Sequence, residues 1–294
     1  MRGSFLTILF LVPVILTAQD QSERWLSLDR LSVSVTSSYA FVPWREFNDS
    51  YQIFHDAVGY NSAYPNPTGY IQKIQGDASI GLQVNYRLFG GLSVFVGGEY
   101  GGTKAKMEFK PQDFLMQAYR HEFEFSMTNI GGGIAYEQNA TSWLRTTVFF
   151  SVETSKGKLN TNYGSNYVTS IRTFSAPLSD RAILFRGGYG LGIDLLDPLS
   201  IDLMVEYRSL RYDGLKGRGL YVQQYTTGGY YYEEGFDAIL VSGPEYFGAG
   251  LAQSSSSYLY QALGLWMADL SSIPSPATLD LSGISIRLAL GVRL

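Results

Sequence analysis

The sequence predicts an all-β protein: a closed antiparallel up-and-down transmembrane β-barrel of eight strands (ten possible) with long loops at one end. Its last segment, residues 284–294, alternates large aliphatic residues with small or charged ones, a period of two that is typical of a strand with one apolar face. The 294-residue chain contains 32 glycines, 22 tyrosines and only 16% charged residues, which favours β structure. Predicted strands are joined by alternating short and long connections, as in barrels whose two ends face different compartments.

The first residues predict export. Arg2 precedes an apolar core, residues 5–18, and a polar stretch follows from Gln19. This pattern predicts a signal peptide, residues 1–18, cut near Ala18 and followed by one domain, residues 19–294. No later stretch is apolar enough for a membrane helix, so a membrane-spanning form has to be a closed barrel.

Eight segments alternate between an apolar and a polar parity. In chain order the predicted strands are 31–41, 78–88, 92–104, 121–137, 144–153, 183–194, 201–208 and 284–294. The predicted short turns are 89–91, 138–142 and 196–199, and the long connections are 42–76, 105–120, 156–180 and 213–277. A short helix is possible within 44–58.

The fourth predicted strand contains an irregularity. After Thr128 the odd-numbered residues of this strand are polar or small, and the large apolar side chains are at even numbers. Before Thr128 the pattern is reversed, because Phe123 and Phe125 are apolar and Glu122 and Glu124 are charged. We expect either a β-bulge here or an end that lies outside the membrane.

The charges on the polar parity distinguish a membrane barrel from a secreted soluble barrel or sandwich, which would turn the apolar parity inward. That parity has six arginines, six carboxylates and no lysine: Arg87, Arg145, Arg186, Arg208, Arg287, Arg293, Glu99, Glu137, Glu153, Asp194, Asp202 and Glu206. Balanced arginine and carboxylate is what an enclosed lumen needs, because buried charges have to be paired. The apolar parity carries tyrosines that suit interfacial girdles: Tyr39, Tyr86, Tyr100, Tyr136, Tyr189 and Tyr207.

The signal peptide, the connection pattern and the closing strand resemble the small eight-stranded bacterial outer-membrane proteins of the OmpA/OmpX type. The resemblance implies an outer-membrane location, periplasmic turns and extracellular loops. It also implies that the last strand is a signal for the barrel-assembly machinery, carried by Ile286, Leu288, Leu290, Val292 and Leu294. The family usually ends in an aromatic residue, whereas this chain ends in leucine. The resemblance names no functional residues.

Catalytic, cofactor and metal sites are not predicted. The chain has no cysteine, which excludes disulfides and thiolate ligands, and its net charge of −4 argues against nucleic acid as a partner. Of the two histidines, His55 lies in the first loop, and His121 is followed by Glu122, Glu124 and Ser126, which permits a general base. A solvent-exposed loop histidine is the favoured interpretation. The glycine-rich run 187–192 is interpreted as packing inside a narrow barrel, since it lies within a strand.

The fourth connection, 213–277, is too long and apolar for a simple loop. Residues 219–236 predict a hairpin turning at Thr226–Gly229, and residues 255–270 predict a helix with a serine cap. We expect a structural lid over the barrel mouth, a tyrosine-rich binding surface, or two further membrane strands that would make ten.

The sequence favours a non-enzymatic outer-membrane protein with a structural or surface-interaction role and a lumen closed by the arginine–carboxylate network. A narrow pore or carrier for a small or apolar solute is the alternative, and an outer-membrane lipid or peptide hydrolase comes third. The expected partners are outer-membrane lipid, the assembly machinery, and an extracellular ligand or protein at the loops.

Overall fold

The computed structural model describes residues 30–42, 44, 45, 47–49, 52, 68–110, 116–196, 198–243, 246–251 and 275–294. These residues form one antiparallel sheet system. Its strands are β1 (Leu31–Phe41), β2 (Thr68–Ile71), β3 (Asp77–Phe89), β4 (Leu92–Lys110), β5 (Met116–Asn139), β6 (Leu144–Tyr167), β7 (Ser170–Leu196), β8 (Leu199–Tyr212), β9 (Lys216–Tyr225), β10 (Tyr231–Gly243), β11 (Tyr246–Leu251), β12 (Ser275–Pro276), β13 (Leu279–Asp280) and β14 (Gly283–Arg293).

Eight of these strands form a ring in the order β1, β3, β4, β5, β6, β7, β8 and β14. The ring is closed by the pairing of β14 with β1. Followed around the ring from Leu92 of β4, the pairing returns to β4 at Gly102, ten residues further along. With a rise of about 3.3 Å per residue and strands about 4.8 Å apart, this stagger corresponds to a strand tilt of about 40°. The predicted eight-stranded antiparallel barrel is therefore confirmed.

The short connections lie together at one end, which we call the turn end; the opposite end is the far end. Gly90 and Gly91 join β3 to β4 with φ of 53° and 86°, a conformation that glycine adopts at little cost. Residues 140–143 join β5 to β6, and the turn before Leu199 joins β7 to β8. The predicted turns are thus confirmed in position. Among the described residues, no helix has the length and apolar character needed to cross a membrane.

At the far end the sheet departs from the ring. β7 pairs with β8 over residues 184–196 but with β9 over residues 170–179. β9 pairs in turn with β10, β10 pairs with β11 and with β12, and β2 pairs with the far end of β4. The ten-strand alternative is wrong for the ring itself, because β7 pairs with β9 only beyond the end of its pairing with β8, so the strands of the fourth connection lie at the far end and not between the ring strands.

Two of the predicted long loops are wrong. β4 continues to Lys110 and β5 begins at Met116, while β6 and β7 run on to a turn at residues 168 and 169. Residues 156–166 of β6 pair with residues 171–181 of β7, so most of the expected loop 156–180 is paired strand. The sequence suggested a loop because the outward parity of β6 turns polar after Val152, at Lys156, Lys158 and Asn160.

The parity reversal in β5 is not a bulge. Pairing of β5 with β4 and with β6 is regular on both sides of Thr128. Phe123, Phe125 and Met127 point inward and are buried, on the same parity as Asn129. The interior changes from polar to apolar at this level, while the strand itself continues unchanged.

Helical structure is seen in part. Residues 45, 47–49 and 52 are helical, and the Asn48 N–H donates to the Trp44 carbonyl oxygen at 2.9 Å. The rest of the helix expected within 44–58 lies outside the described residues. So do the expected signal peptide, His55 and the expected helix 255–270.

Candidate functional site

The outward face of the ring is an apolar belt. Its members point away from the barrel on every ring strand and are exposed: Val35, Tyr39, Phe41, Ile80, Leu82, Val94, Val96, Tyr100, Ile130, Ile134, Tyr136, Val148, Phe150, Val152, Ile183, Phe185, Tyr189, Leu191, Ile193, Leu199, Leu203, Val205, Tyr207, Ile284, Ile286, Leu288, Leu290 and Val292. On β14 the alternation from Ile284 to Leu294 covers about 33 Å of strand, or about 25 Å along the axis at the inferred tilt. A band of that height matches the hydrocarbon thickness that outer-membrane barrels present.

Aromatic residues lie towards both edges of the belt. Tyr39, Phe41 and Tyr100 are exposed near the far edge, and Tyr136 and Trp143 near the turn end. Of the tyrosines predicted to form girdles, five are exposed: Tyr39, Tyr100, Tyr136, Tyr189 and Tyr207. Tyr86 is only partly exposed.

A central ionic cluster occupies the barrel interior in the half of the belt that is closer to the far end. It consists of Arg186, Arg287, Glu99, Glu153 and Glu206, contributed by five different ring strands. Arg186 has a side chain that is 2% exposed and contacts all three glutamates: it forms a short ion pair with Glu99, and lies 3.5 Å from Glu153 Oε2 and 3.6 Å from Glu206 Oε1. Arg287 lies 3.2 Å from Glu206 Oε2 and 3.7 Å from Glu99 Oε2. One planar guanidinium serving several carboxylates is the geometry that favours arginine over lysine.

Serine hydroxyls complete this cluster, in which carboxylates outnumber guanidinium groups. Ser38 donates to Glu99 Oε1 at 2.8 Å, Ser285 donates to Glu206 Oε1 at 2.8 Å, and Ser151 donates to Glu153 Oε1 at 3.0 Å. Ser79 makes a further hydrogen bond to Glu99. Hydrogen bonds to charged groups stabilise them in a dry interior, so these hydroxyls offset part of the excess negative charge.

A second ionic cluster closes the turn end. Arg145 lies 2.8 Å from Asp194 Oδ1 and 2.7 Å from Asp202 Oδ1, and Arg293 lies 3.0 Å from Asp194 Oδ1. The Arg87–Glu137 pair, at 3.2 Å, lies on the rim with side chains 52% and 23% exposed. The predicted network is therefore divided into separate groups, and its rim pair is not buried.

Arg208, the remaining member of the predicted set, pairs with a residue outside that set, Asp77. Its Nη1 donates to Asp77 Oδ1 at 2.9 Å and its Nε donates to the Leu281 carbonyl oxygen at 2.8 Å. Asp77 shares the parity of Ser79, so starting the second predicted strand one residue earlier would have placed it in the interior.

Apolar side chains separate the two ionic clusters. Phe95, Ala135, Phe149 and Met204 pack together between them, and the Arg287 guanidinium lies 5.9 Å from the centre of the Phe149 ring. The cavity at the turn end, lined by Arg145 and Arg293 among others, measures about 80 Å³, and a smaller one beside the central cluster measures about 20 Å³. Each has room for no more than a few water molecules.

Glycines allow the charged side chains to fill so narrow an interior. Gly192 lies on the inward parity of β7, where an added Cβ would collide with Asp202 Oδ1 and Arg145 Nε. A Cβ at Gly131 would likewise collide with the backbone of β6 and with Glu153. The glycine run in β7 lies within a strand, and its role in packing the interior is confirmed.

Above the central cluster the barrel has an ordinary apolar core. Its larger buried members are Trp44, Phe47, Ile74, Phe123, Phe125, Met127, Leu159, Tyr163, Phe174, Leu178, Leu184, Leu210, Tyr212, Leu215, Tyr221, Leu240, Leu279 and Leu281. Residues from β9 and β10 belong to it, so the described part of the fourth connection packs into the far end of the barrel. The barrel thus has an apolar exterior near the turn end and an apolar interior at the far end.

His121 lies in this far-end core. It is 1% exposed and points inward from β5, so the interpretation as a solvent-exposed loop histidine is wrong. Glu122, Glu124 and Ser126 lie on the opposite parity and point outward, away from the imidazole. Burial lowers the pKa of His121 to about 3, which keeps the ring neutral at physiological pH.

The predicted hairpin of the fourth connection is confirmed. β9 and β10 pair from Tyr231 against Gln224 onward, and Gly228 and Gly229 turn the chain with φ of 90° and 66°. Tyr225, Tyr230, Tyr231 and Tyr232 are exposed around this tip.

The fold and interior together define the class: an eight-stranded antiparallel barrel with an outward apolar belt and an interior that holds paired charges. No protein-family model and no curated relative matches the sequence. Among solved structures, a major outer membrane protein from Thermus thermophilus is 10% identical with a TM-score of 0.39, and the match covers 90% of this chain and 99% of that one. The translocator domain of the autotransporter NalP from Neisseria meningitidis is 9% identical with a TM-score of 0.20, covering 96% and 93%. At TM-scores this low, the likeness carries no functional inference.

Proposed function

We propose that this chain is an outer-membrane β-barrel protein with a closed lumen and a structural or surface-interaction role. One observation carries the proposal: the ring is inside out, with isoleucine, leucine and valine exposed around its circumference and arginine–carboxylate pairs buried within. In water the belt would be a very large exposed apolar surface, far beyond the few hundred Å² that soluble monomers tolerate. In a bilayer it is the expected lipid-facing surface.

The closed lumen is supported by what fills the interior. Moving inward from the turn end, a path would meet the Arg145 cluster, the Phe95–Phe149 layer and the central ionic cluster, and then the far-end core. An eight-stranded barrel is narrow enough for side chains to fill it. This arrangement favours a structural role over a pore or carrier.

Orientation and biogenesis follow from the same proposal. The turn end, which carries both described ends of the chain, faces the periplasm. The long β4–β5 and β6–β7 hairpins and the fourth connection extend outside the cell. Export depends on the predicted signal peptide. The exposed side chains of Ile286, Leu288, Leu290, Val292 and Leu294 lie on the strand that closes the ring against β1, which suits a signal read by the assembly machinery.

The surface role is assigned to the tip of the β9–β10 hairpin. Four exposed tyrosines offer aromatic area, and tyrosine is enriched at contact surfaces. The hydroxyls of Tyr231 and Tyr232 donate to Glu233 and Glu234. The hairpin is anchored below by Tyr221 and Leu240, which are buried in the far-end core. An extracellular protein or ligand is the proposed partner.

Substitution of one belt residue tests the membrane location. Val96 is 62% exposed near the middle of the belt, so Val96→Arg is expected to cost about 2–4 kcal/mol of folding free energy in lipid vesicles. Asn162→Arg provides the control, because Asn162 is exposed on the far-end extension of β6, beyond the belt. Equal effects of the two variants on urea unfolding in vesicles would contradict a lipid-facing belt.

Conductance tests the closed lumen. The full chain in a planar bilayer is expected to carry no steady ion current, because charged side chains fill the interior. A stable ion current would contradict the proposed closed lumen and favour the narrow pore.

A further inference from the structure

The outward face just beyond the belt carries charge that differs between the two sides of the barrel. On the β4–β5 side two outward lysines of β4 are paired with carboxylates: Lys104 lies 2.8 Å from Glu124 of β5, and Lys106 lies 2.5 Å from Glu108 of β4. On β6 and β7 the same zone carries Lys156, Lys158 and Arg181, all exposed. Within the part of the chain that the structure describes, none of these three makes an ion pair.

These three cations form a compact basic patch. Lys156 lies directly opposite Arg181 in the β6–β7 pairing, and Lys158 is the next outward residue on β6, opposite Ser179. Directly opposed residues have Cβ atoms about 5 Å apart, and like charges placed so are destabilising. The arrangement therefore has an electrostatic cost that an anion bound between the side chains would relieve.

Carboxylates near the basic patch are already engaged. Asp180 follows the opposite parity and accepts hydrogen bonds from the backbone N–H groups of Arg181 and Gly214, at 2.7 and 2.9 Å. Asp213 pairs with Arg211 at 2.6 Å. Among the described residues, the protein thus supplies no counter-ion to the patch.

The height of the patch identifies the anion. Ile183, the last belt residue on β7, is two residues from Arg181, about 5 Å along the barrel axis at the inferred tilt. Lipid phosphates lie at this distance beyond the hydrocarbon edge, and Ile183 and Phe185 continue the apolar surface directly below the patch. A free anion would need no such apolar neighbour, whereas the chains of a lipid would lie against it.

We propose that Lys156, Lys158 and Arg181 bind the phosphate group of a lipid in the leaflet at the far end, with the lipid chains against Ile183 and Phe185. The proposal rests on the membrane location proposed above. It gives the barrel one preferred lipid contact on the β6–β7 side, whereas the β4–β5 side, with its charges internally paired, has none of comparable strength.

The test is lipid binding by the folded full chain in detergent, measured by native mass spectrometry with short-chain phosphatidic acid and, for comparison, phosphatidylcholine. The triple variant Lys156→Gln, Lys158→Gln, Arg181→Gln is expected to bind phosphatidic acid at least about tenfold more weakly, since each surface cation contributes several-fold. The double variant Lys104→Gln, Lys106→Gln is the matched control and is expected to stay within about twofold of the unsubstituted protein.

Each outcome decides between explanations. Equal affinity of the triple variant and the unsubstituted chain would overturn the lipid site, and so would equal losses in the triple and control variants. Displacement of the lipid by equimolar inorganic phosphate would show a free-anion site instead. Insertion into phosphatidylcholine vesicles is measured separately: failure of the unsubstituted chain to insert contradicts the membrane location itself, whereas insertion with no preference for phosphatidic acid contradicts the lipid site alone.

Discussion

Substitution of Arg186 by methionine tests whether the central ionic cluster holds the barrel together. The side chain is 2% exposed and contacts Glu99, Glu153 and Glu206. Without it, three buried carboxylates face Arg287 alone. Removing one partner from a buried ionic network costs about 3–5 kcal/mol, because the remaining charges stay buried and uncompensated.

The assay is urea unfolding of the chain refolded in vesicles, followed by tryptophan fluorescence and by heat-modifiable gel migration. A double variant, Arg186→Met with Glu99→Met, restores the net charge of the cluster and is expected to recover most of the lost stability. Arg87→Met is the control: its pair with Glu137 is exposed on the rim, and exposed pairs contribute less than about 1 kcal/mol.

Two results would refute this reasoning. A loss for Arg186→Met no larger than for Arg87→Met would mean that water reaches the cluster and screens its charges. A double variant no more stable than the single one would mean that Arg186 contributes through packing and not through charge.

Two further predictions concern the far end and the closing strand. His121→Gln is expected to reduce the pH dependence of stability. The pKa of His121 is about 3 in the folded protein and near 6.5 in the unfolded chain, so the unsubstituted protein loses stability as pH falls below 6.5. The expected loss is about 2 kcal/mol between pH 7 and pH 5. Parallel unfolding curves for both proteins across that range would contradict the burial of a neutral imidazole. Leu294→Ser removes an exposed side chain from the closing strand. Spontaneous folding in detergent should be unchanged, while assembly by the purified barrel-assembly machinery should slow severalfold. Equal slowing in both assays would contradict a role of Leu294 in recognition by the machinery.

The local patterns of the sequence predict the ring well, because each ring strand is amphipathic near the turn end. In every ring strand the period of two identifies which residues point outward and form the belt. The same period places all twelve predicted network residues on the inward parity. Glycine pairs such as Gly90 and Gly91 mark the tight turns, since their positive φ favours glycine. These features depend on neighbours in sequence, so they can be predicted without the fold.

The far end could not be predicted in this way. There the outward parity of β5 is polar, at Glu122 and Glu124, and its inward parity is apolar, at Phe123 and Phe125, the reverse of the belt. On β6 the polar stretch Lys156–Asn160 resembles a loop until its pairing partner is known. The same reversal hid the burial of His121. Both features depend on pairing between strand segments that are far apart in the sequence, and no local pattern encodes that pairing.

The sequence by itself determined the strand-rich architecture, the face of each ring strand that meets lipid, and the presence of balanced charge inside. Only the tertiary structure decided which charges meet: that Arg186 bridges three glutamates, that Arg208 pairs with Asp77, and that Arg87 stays on the rim. The physical reason is the ten-residue stagger of the closed ring, which brings residues from distant strands to one level of the interior. Parity along a strand gives the direction of a side chain, and only closure of the ring gives its neighbours.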